Sequence, residues 1–347
     1  MTFPNNFRIP TLDENVRKQA QEHIEQLTKP PGSLGRLESI ASELAAMTGK
    51  LFPDVSRPGI IVFAADHGIV AEGVSAFPQE LTTQMAMNFL NEGAAINVFA
   101  KQINAQFQLV DVGMKNTIDA ENITNRAIKR GTNNFYVQDA MTKEEAMEAL
   151  AVGYEEATNM IKTSNVNCLI FGEMGIGNTT ASSAIVSLYS GANPLQVTGI
   201  GTGLSEEEVR KKANIIQEAL RRRQPDKSDP IDVLSKVGGL ELAAIAGAML
   251  SAAHKRIPIL VDGFISSAAA IIAKNIQPRC TDYMIIGHLS KEPGHSAAVQ
   301  VLGKKPLIDL EMRLGEGTGA AVSYPILQFA TAMMKEMATF KDLANYH

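Results

Sequence analysis

Five short apolar runs punctuate the chain, and each breaks off in a polar or glycine-rich turn. They are IIVFAADHG (60–68), FQLVDVG (107–113), CLIFGEMGIG (168–177), PILVDGF (258–264) and YMIIGHLS (283–290). None alternates apolar with polar positions. A strand with one wet face would alternate, so these runs predict strands covered on both faces, as in a parallel sheet. Helical stretches lie between them. SEEEVRKKANIIQEALRRR (205–223) opens with Ser205 and Glu208 at the spacing of a capping box. GGLELAAIAGAMLSAAHKR (238–256) is apolar all round and predicts a helix buried between layers. Strand and helix in alternation define an α/β fold, doubly wound on a mostly parallel, Rossmann-like sheet. The two ends of the chain differ, since both read as helices without strands between them. Residues 1–50 and 325–347 are expected to pair as a small helical domain beside an α/β domain spanning 51–324. No internal repeat or low-complexity linker interrupts this pattern.

In an open parallel sheet, ligands bind beyond the carboxyl ends of the strands. Polar residues gather just there: Asp66, His67, Asp111, Glu173, Asp262, His288 and Ser290. A single residue of this kind often only caps the next helix. Five runs ending alike point to a pocket. GEMGIGNTT (172–180) is the richest turn. Its glycines let backbone approach a ligand, and Asn178, Thr179 and Thr180 open a helix whose free N–H groups suit a phosphate. Gly172 and Gly177 have P-loop spacing, but Asn178 stands where that loop requires Lys, so no nucleoside triphosphatase is implied. G-x-G-x-x-G is absent too, which argues against a dinucleotide site. GIGTGLSEEE (199–208) is a second glycine turn into a capped helix. Two such turns fit a phosphorylated sugar held by backbone amides.

Composition removes other classes. A formal net charge of -5 over 347 residues disfavours nucleic acid or anionic membrane as a partner. The longest basic run, RRR at 221–223, sits where a helix would end and fits the helix dipole. Two unpaired cysteines, Cys168 and Cys280, suggest a reducing compartment. No secretion-signal pattern opens the chain, and no stretch reaches the roughly 20 apolar residues of a membrane helix. A cytoplasmic protein is expected. Asp66-His67 and HLSKEPGH (288–295) offer metal-type ligands, but no compact two-His-plus-carboxylate spacing and no Cys cluster appears. No metal and no cofactor are therefore expected. G-x-S-x-G is missing, which disfavours a serine hydrolase.

RLGEGTGAA (313–321) sets Glu316 among three glycines. Together with LTKPPGSLGRLE (27–38), ADHG (65–68), GEMGIGNTT, IDVLSKVGG (231–239) and VDGF (261–264), it forms an ordered set of motifs over nearly the whole chain. By these the sequence resembles the nicotinate-nucleotide–dimethylbenzimidazole phosphoribosyltransferase family of cobalamin assembly. The resemblance implies nicotinate mononucleotide as donor, 5,6-dimethylbenzimidazole as acceptor, and nicotinate and α-ribazole 5′-phosphate as products. It also implies a homodimer, an α/β domain with a small helical one, and no metal.

In family terms Glu316 matches the catalytic base and Glu173 a second acidic position. Lys212 falls at a site position where it could pair with phosphate or with Glu173, or remain a solvated helix lysine. Gly175, Gly177, Asn178, Gly201, Gly203 and Ser290 form the expected phosphate and ribose set, and Thr179, Asp262 and Gly263 are expected to bind substrate beside them. Phe77, Gln84 and Met85 are expected around the acceptor base, and Leu314 and Gly315 among the substrate-binding residues. One departure stands out: Phe77 replaces a small polar residue of the family pattern before the proline in SAFPQELTTQM (75–85). The acceptor thus stays open among dimethylbenzimidazole, adenine and a phenol. Two other readings compete. One is a metal-dependent phosphoester hydrolase using Asp66, His67 and His288; the other is a nucleotide-binding regulatory module without catalysis.

Overall fold

The structure, a computed structural model, describes residues 7–201 and 203–344. Residues 1–6 and 345–347 of the expected helical domain lie outside the described residues. Six strands are described: β1 (Pro58–Ala65), β2 (Gln106–Gly113), β3 (Ile123–Asn125), β4 (Cys168–Met174), β5 (Ile259–Val261) and β6 (Met284–Ile286). All pair in parallel, in the order β3-β2-β1-β4-β5-β6. This is the order of a doubly wound nucleotide-binding sheet. The chain leaves β1 on one side to reach β2 and leaves β4 on the other to reach β5. A crevice therefore opens between β1 and β4, beyond their carboxyl ends.

Each apolar run forms its strand, and β1 is buried along its whole length. The runs overshoot at their ends. β5 and β6 have three residues each, and the polar residues after them are turn. β3, with the sequence ITN on the sheet edge, was not foreshadowed by any apolar run.

Helices cover both faces of the sheet. Leu240–His254 lies against β1, β2, β4 and β5 and is buried from Leu240 to Ala253, as its all-round apolar pattern predicts. It crosses helix Lys143–Thr163 with backbones in contact. A methyl group on Gly153 would stand 1.8 Å from the Ala244 carbonyl oxygen, and one on Gly247 would stand 2.0 Å from that of Leu150. Helix Glu206–Arg223 begins with the expected capping box and ends in Arg221, Arg222 and Arg223.

The terminal helices pair. Glu14–Gln26 packs on Arg36–Thr48, which packs on Thr318–Glu336. Thr28 N–H donates to Ala338 O at 3.0 Å, and a ring nitrogen of His23 lies 2.8 Å from Met334 O. KPPGSLG forms a braced turn between the first two helices. Buried Lys29 pairs with Glu38 at 2.8 Å, Leu34 N–H donates to the same carboxylate, and Arg36 donates to the carbonyls of Lys305 and Pro306. Helix Thr318–Glu336 links the regions, since its first residues face the crevice and its last reach the terminal helices.

Candidate active site

A cavity of about 310 Å³ lies beyond the carboxyl ends of β1, β4, β5 and β6. The turn after β4 forms its floor and residues 313–316 one wall.

That wall has an unusual backbone. Gly315 (φ +90°), Glu316 (+64°) and Gly317 (+93°) all lie in the left-handed region. A glutamate there is strained by about 1–2 kcal/mol, so the surroundings must hold it. They do so by close contact. A methyl group on Gly172 of β4 would stand 2.1 Å from Glu316 O, and one on Gly315 would stand 2.3 Å from Glu173 Oε1. Two buried carboxylates peg the turn. Glu173 Oε1 accepts from Glu316 N–H at 3.3 Å, and its Oε2 accepts from the Asn178 amide. Asp262 accepts from Gly317 N–H at 3.2 Å and from Ala320 N–H at 2.9 Å, filling the amino end of helix Thr318–Glu336.

Glu316 is only 6% exposed. Its Oε2 has no hydrogen-bond partner, and the backbone amide of Ile96, in the first turn of helix Ala95–Gln102, favours its charged form. Burial lifts this carboxyl to about 7, against the pull of the Ile96 amide and with added repulsion from Asp262. A carboxylate poised there can take a proton at neutral pH. Burial also holds Glu173 well above its ordinary range, and Asp262, Glu241 and Glu316 add repulsion. Asp262 is raised by burial too, although His288 Nε2 stands 3.8 Å away and amides bond it.

Cations mark the other half of the cavity. Lys212 is buried, and its Nζ donates to Thr179 Oγ1 at 2.7 Å. Burial lowers this ammonium to about 8, while Glu292 pulls it back up. Arg313 donates to Gly201 O at 3.2 Å. His295 is held neutral, its pKa pushed down to about 3 by burial. Its Nδ1 accepts from Ser290 N–H at 2.8 Å, so its Nε2–H faces Ser267 Oγ at 3.1 Å and the Ser290 turn is fixed.

Most residues expected from the sequence meet here. Glu173, Gly175, Gly177, Asn178, Thr179, Gly201, Lys212, Asp262, Gly263, Ser290, Phe77, Met85, Leu314, Gly315 and Glu316 all line the cavity. Two do not. Gln84 is exposed on helix Glu80–Leu90, turned roughly 100° around the axis from Met85. Gly203 lies exposed outside the cavity, in the turn before Ser205. Lys212 pairs with neither solvent nor Glu173; it serves the Thr179 and Glu292 side. Asp66, His67 and His288 do not converge. Asp66 accepts from Thr82 and Lys115 N–H, His67 pairs with buried Glu241 at 2.7 Å, and His288 stands by Asp262. The hydrolase reading finds no support in this arrangement. Asp66 instead braces the site, because the Thr82 hydroxyl it holds accepts from Ile176 N–H at 3.1 Å. Sequence reasoning assigned nothing to Glu292 and Arg313, which also line the cavity. Both stand inside quoted motifs: Glu292 in HLSKEPGH, read only for its histidines, and Arg313 at the head of RLGEGTGAA.

A doubly wound sheet whose switch-point cavity joins a cation-bearing half to a buried, near-neutral base defines an enzyme acting on a phosphorylated, nucleotide-like substrate. Comparison with known proteins agrees. A family model described as Phosphoribosyltransferase matches residues 9–344. The chain is 47% identical over 334 residues to the nicotinate-nucleotide–dimethylbenzimidazole phosphoribosyltransferase of Halalkalibacterium halodurans, covering 96% of this chain and 93% of that one. It is 47% identical to the enzyme of that name from Syntrophotalea carbinolica, covering 97% and 96%. The crystal structure of the enzyme of that name from Thermus thermophilus superposes with a TM-score of 0.91 at 42% identity, over 97% of this chain and 100% of that one. A structure described as CobT from the same organism gives 0.92 at 44%, over 95% and 98%. The chain belongs to the nicotinate-nucleotide–dimethylbenzimidazole phosphoribosyltransferase family.

Proposed function

We propose that the protein transfers the 5-phosphoribosyl group of nicotinate mononucleotide to 5,6-dimethylbenzimidazole, giving α-ribazole 5′-phosphate and nicotinate in cobalamin biosynthesis. The relatives carrying that name match nearly end to end, which supports the substrates. The observation that carries the mechanism is the Glu316 carboxylate, buried at the cavity wall with Oε2 unpartnered and its pKa near 7.

The donor's pyridinium nitrogen is already positive. When its bond to C1′ breaks it keeps the electron pair, and nicotinate leaves without a proton. No general acid is needed. The acceptor's nitrogen forms the new bond to C1′ on the opposite face, and the β-linked donor becomes an α-linked product. The proton on the acceptor's other nitrogen passes to Glu316. One general base of this kind is worth roughly 10²–10⁴ in rate. The transition state has oxocarbenium character. In this reading Glu173 and Asp262 face the cationic ribose, and Lys212 with the Gly175–Thr179 and Gly201 turns faces the phosphate. Phe77, Met85 and Leu314 flank the acceptor. The reaction asks for no metal or cofactor.

The same reading has a homodimer working in the cytoplasm, with residues 1–50 and 325–347 as a helical domain beside the catalytic body. The decisive assay mixes protein, nicotinate mononucleotide and dimethylbenzimidazole. It looks for α-ribazole phosphate by mass and by its anomeric NMR coupling. A product with β coupling, or none, ends the proposal. Adenine and a phenol as competing acceptors rank the base preference.

A further inference from the structure

The phosphate half of the cavity depends on a turn that its own sequence leaves loose. Ile176 stands between two glycines, Gly175 and Gly177, and Gly177 lies at φ +100°. Glycine permits several backbone conformations, so the turn needs a hold from outside. The N–H groups of Gly177 and Thr179 have no acceptor among the described residues, and both residues line the cavity. They can serve a phosphate only while the turn keeps them aimed at it.

One side chain supplies the hold. The peptide joining Gly175 to Ile176 is tied at both ends. Its carbonyl accepts from Asn178 N–H at 3.1 Å, and its N–H donates to Thr82 Oγ1 at 3.1 Å. Thr82 is fully buried on helix Glu80–Leu90. Its hydroxyl donates to Asp66 Oδ1 at 2.7 Å, and Asp66 Oδ2 accepts from Lys115 N–H at 2.8 Å. A carboxylate only accepts, so the single hydroxyl proton goes to Asp66 and the oxygen is left to accept from Ile176. The direction of every bond in the chain is thereby fixed. Leu81 and Met85, on the same helix, line the cavity where Met85 is proposed to flank the acceptor.

We propose that Thr82 is a positioning residue for the donor's phosphate. Its hydroxyl sets the Gly175–Thr179 amides through Ile176, and it leaves the acceptor alone although its own helix flanks that side. This inference rests on the phosphoribosyl reading of the site.

The test compares wild type with Thr82→Val, which removes the hydroxyl at nearly the same shape, and with Thr82→Ser, which keeps it. Inorganic phosphate and ribose 5-phosphate are titrated by calorimetry. Turnover is followed with nicotinate mononucleotide and with nicotinate riboside. Thr82→Val should weaken both phosphate ligands and raise the mononucleotide KM at least about tenfold, the scale of one lost hydrogen bond to a charged group. Its riboside rate and its KM for dimethylbenzimidazole should match wild type, and Thr82→Ser should restore phosphate binding. A residue that only held its helix would raise the acceptor KM, or slow mononucleotide and riboside alike. Either result overturns the proposal, as does wild-type phosphate binding by Thr82→Val. Phosphate binding that follows the hydroxyl, without any phosphoribosyl transfer, keeps the positioning role and sinks the donor assignment. Binding of neither phosphate ligand by wild type sinks both. Thermal melts establish that the variants are folded; should Thr82→Val not fold, Thr82→Cys, whose thiol accepts only weakly, carries the same comparison.

Discussion

Replacing Glu316 with Gln should slow the enzyme and stabilise the fold, and the size of the second effect follows from burial. The folded carboxyl is raised from 4.5 to about 7. Between those values the folded chain keeps a proton that the unfolded chain has lost. Fewer protons on the unfolded state mean that stability falls as pH rises through this window. The full penalty is present above pH 7 and absent below 4.5. Its size is roughly 3 kcal/mol, from about 1.4 kcal/mol for each pH unit between the two values. Gln carries no charge and escapes it. At pH 8, Glu316→Gln should therefore unfold at higher urea than wild type, by up to roughly 3 kcal/mol; at pH 5 the gain should shrink below about 1 kcal/mol. The same variant should lose roughly 10²–10⁴ in kcat. Wild-type kcat/KM should climb with pH through about 7 as the base loses its proton. Urea melts at three pH values and the α-ribazole phosphate assay supply both readouts. A variant no more stable than wild type at pH 8 would show that Glu316 is well solvated, and near-normal turnover would remove it as the base.

Lys212→Met should raise the donor KM at least about tenfold, as expected for a lost charge-assisted phosphate contact, and leave the rate with phosphate-free nicotinate riboside nearly unchanged. Nicotinate riboside itself should be a poor donor for wild type; equal rates for riboside and nucleotide would discredit the half-site of Lys212 and the glycine turns. Gly247→Ala should cost well over 3 kcal/mol in urea melts, because its methyl group meets the Leu150 carbonyl at 2.0 Å and neither backbone can retreat. Phe77→Ser should change the ratio of dimethylbenzimidazole to adenine turnover, since Phe77 lines the cavity and is 46% exposed. An unchanged ratio removes Phe77 from acceptor selection.

The sheet was legible because burial on both faces leaves an uninterrupted apolar run, and all five runs produced strands. β3 was not, because three edge residues, ITN, bury too little to need apolar side chains. The cavity was legible for a related reason. Polar residues that follow a buried strand at once must lie at the sheet's carboxyl edge. Their partners were less visible, since those come from distant segments. Asp66 looks like a site acid in ADHG, yet its oxygens are taken by Thr82 and Lys115 N–H. His67 looks like a ligand until Glu241, 174 residues away, is seen against it. Lys212 looked equally like a surface lysine, because a capped polar helix gives no sign of which lysine faces inward. Gln84 shows the opposite error, where a plausible residue one step from Met85 points away from the cavity.

On the proposed function, the division of charge within the cavity lets one pocket hold a dianion and still favour a cationic transition state. Lys212 and Arg313 lie on the Gly201 and Thr179 side, and Glu173, Asp262 and Glu316 on the side of the Gly315–Gly317 turn. On the proposed function, a phosphate bound at the first leaves C1′ of its ribose facing the second. Negative charge on that side does little for a neutral ribose and much for an oxocarbenium ion, so it acts mainly on the transition state. Burial, with added repulsion from Asp262, raises the pKa of Glu316 and thereby keeps its proton affinity high enough to serve as base. Asp262 belongs to both effects. It caps the helix that begins beside Glu316, and its charge adds to the rise in the Glu316 pKa. Asp262→Asn should accordingly lower kcat while moving the acid limb of kcat/KM to lower pH. A residue that only held the helix in place would lower kcat and leave that limb where it is in wild type.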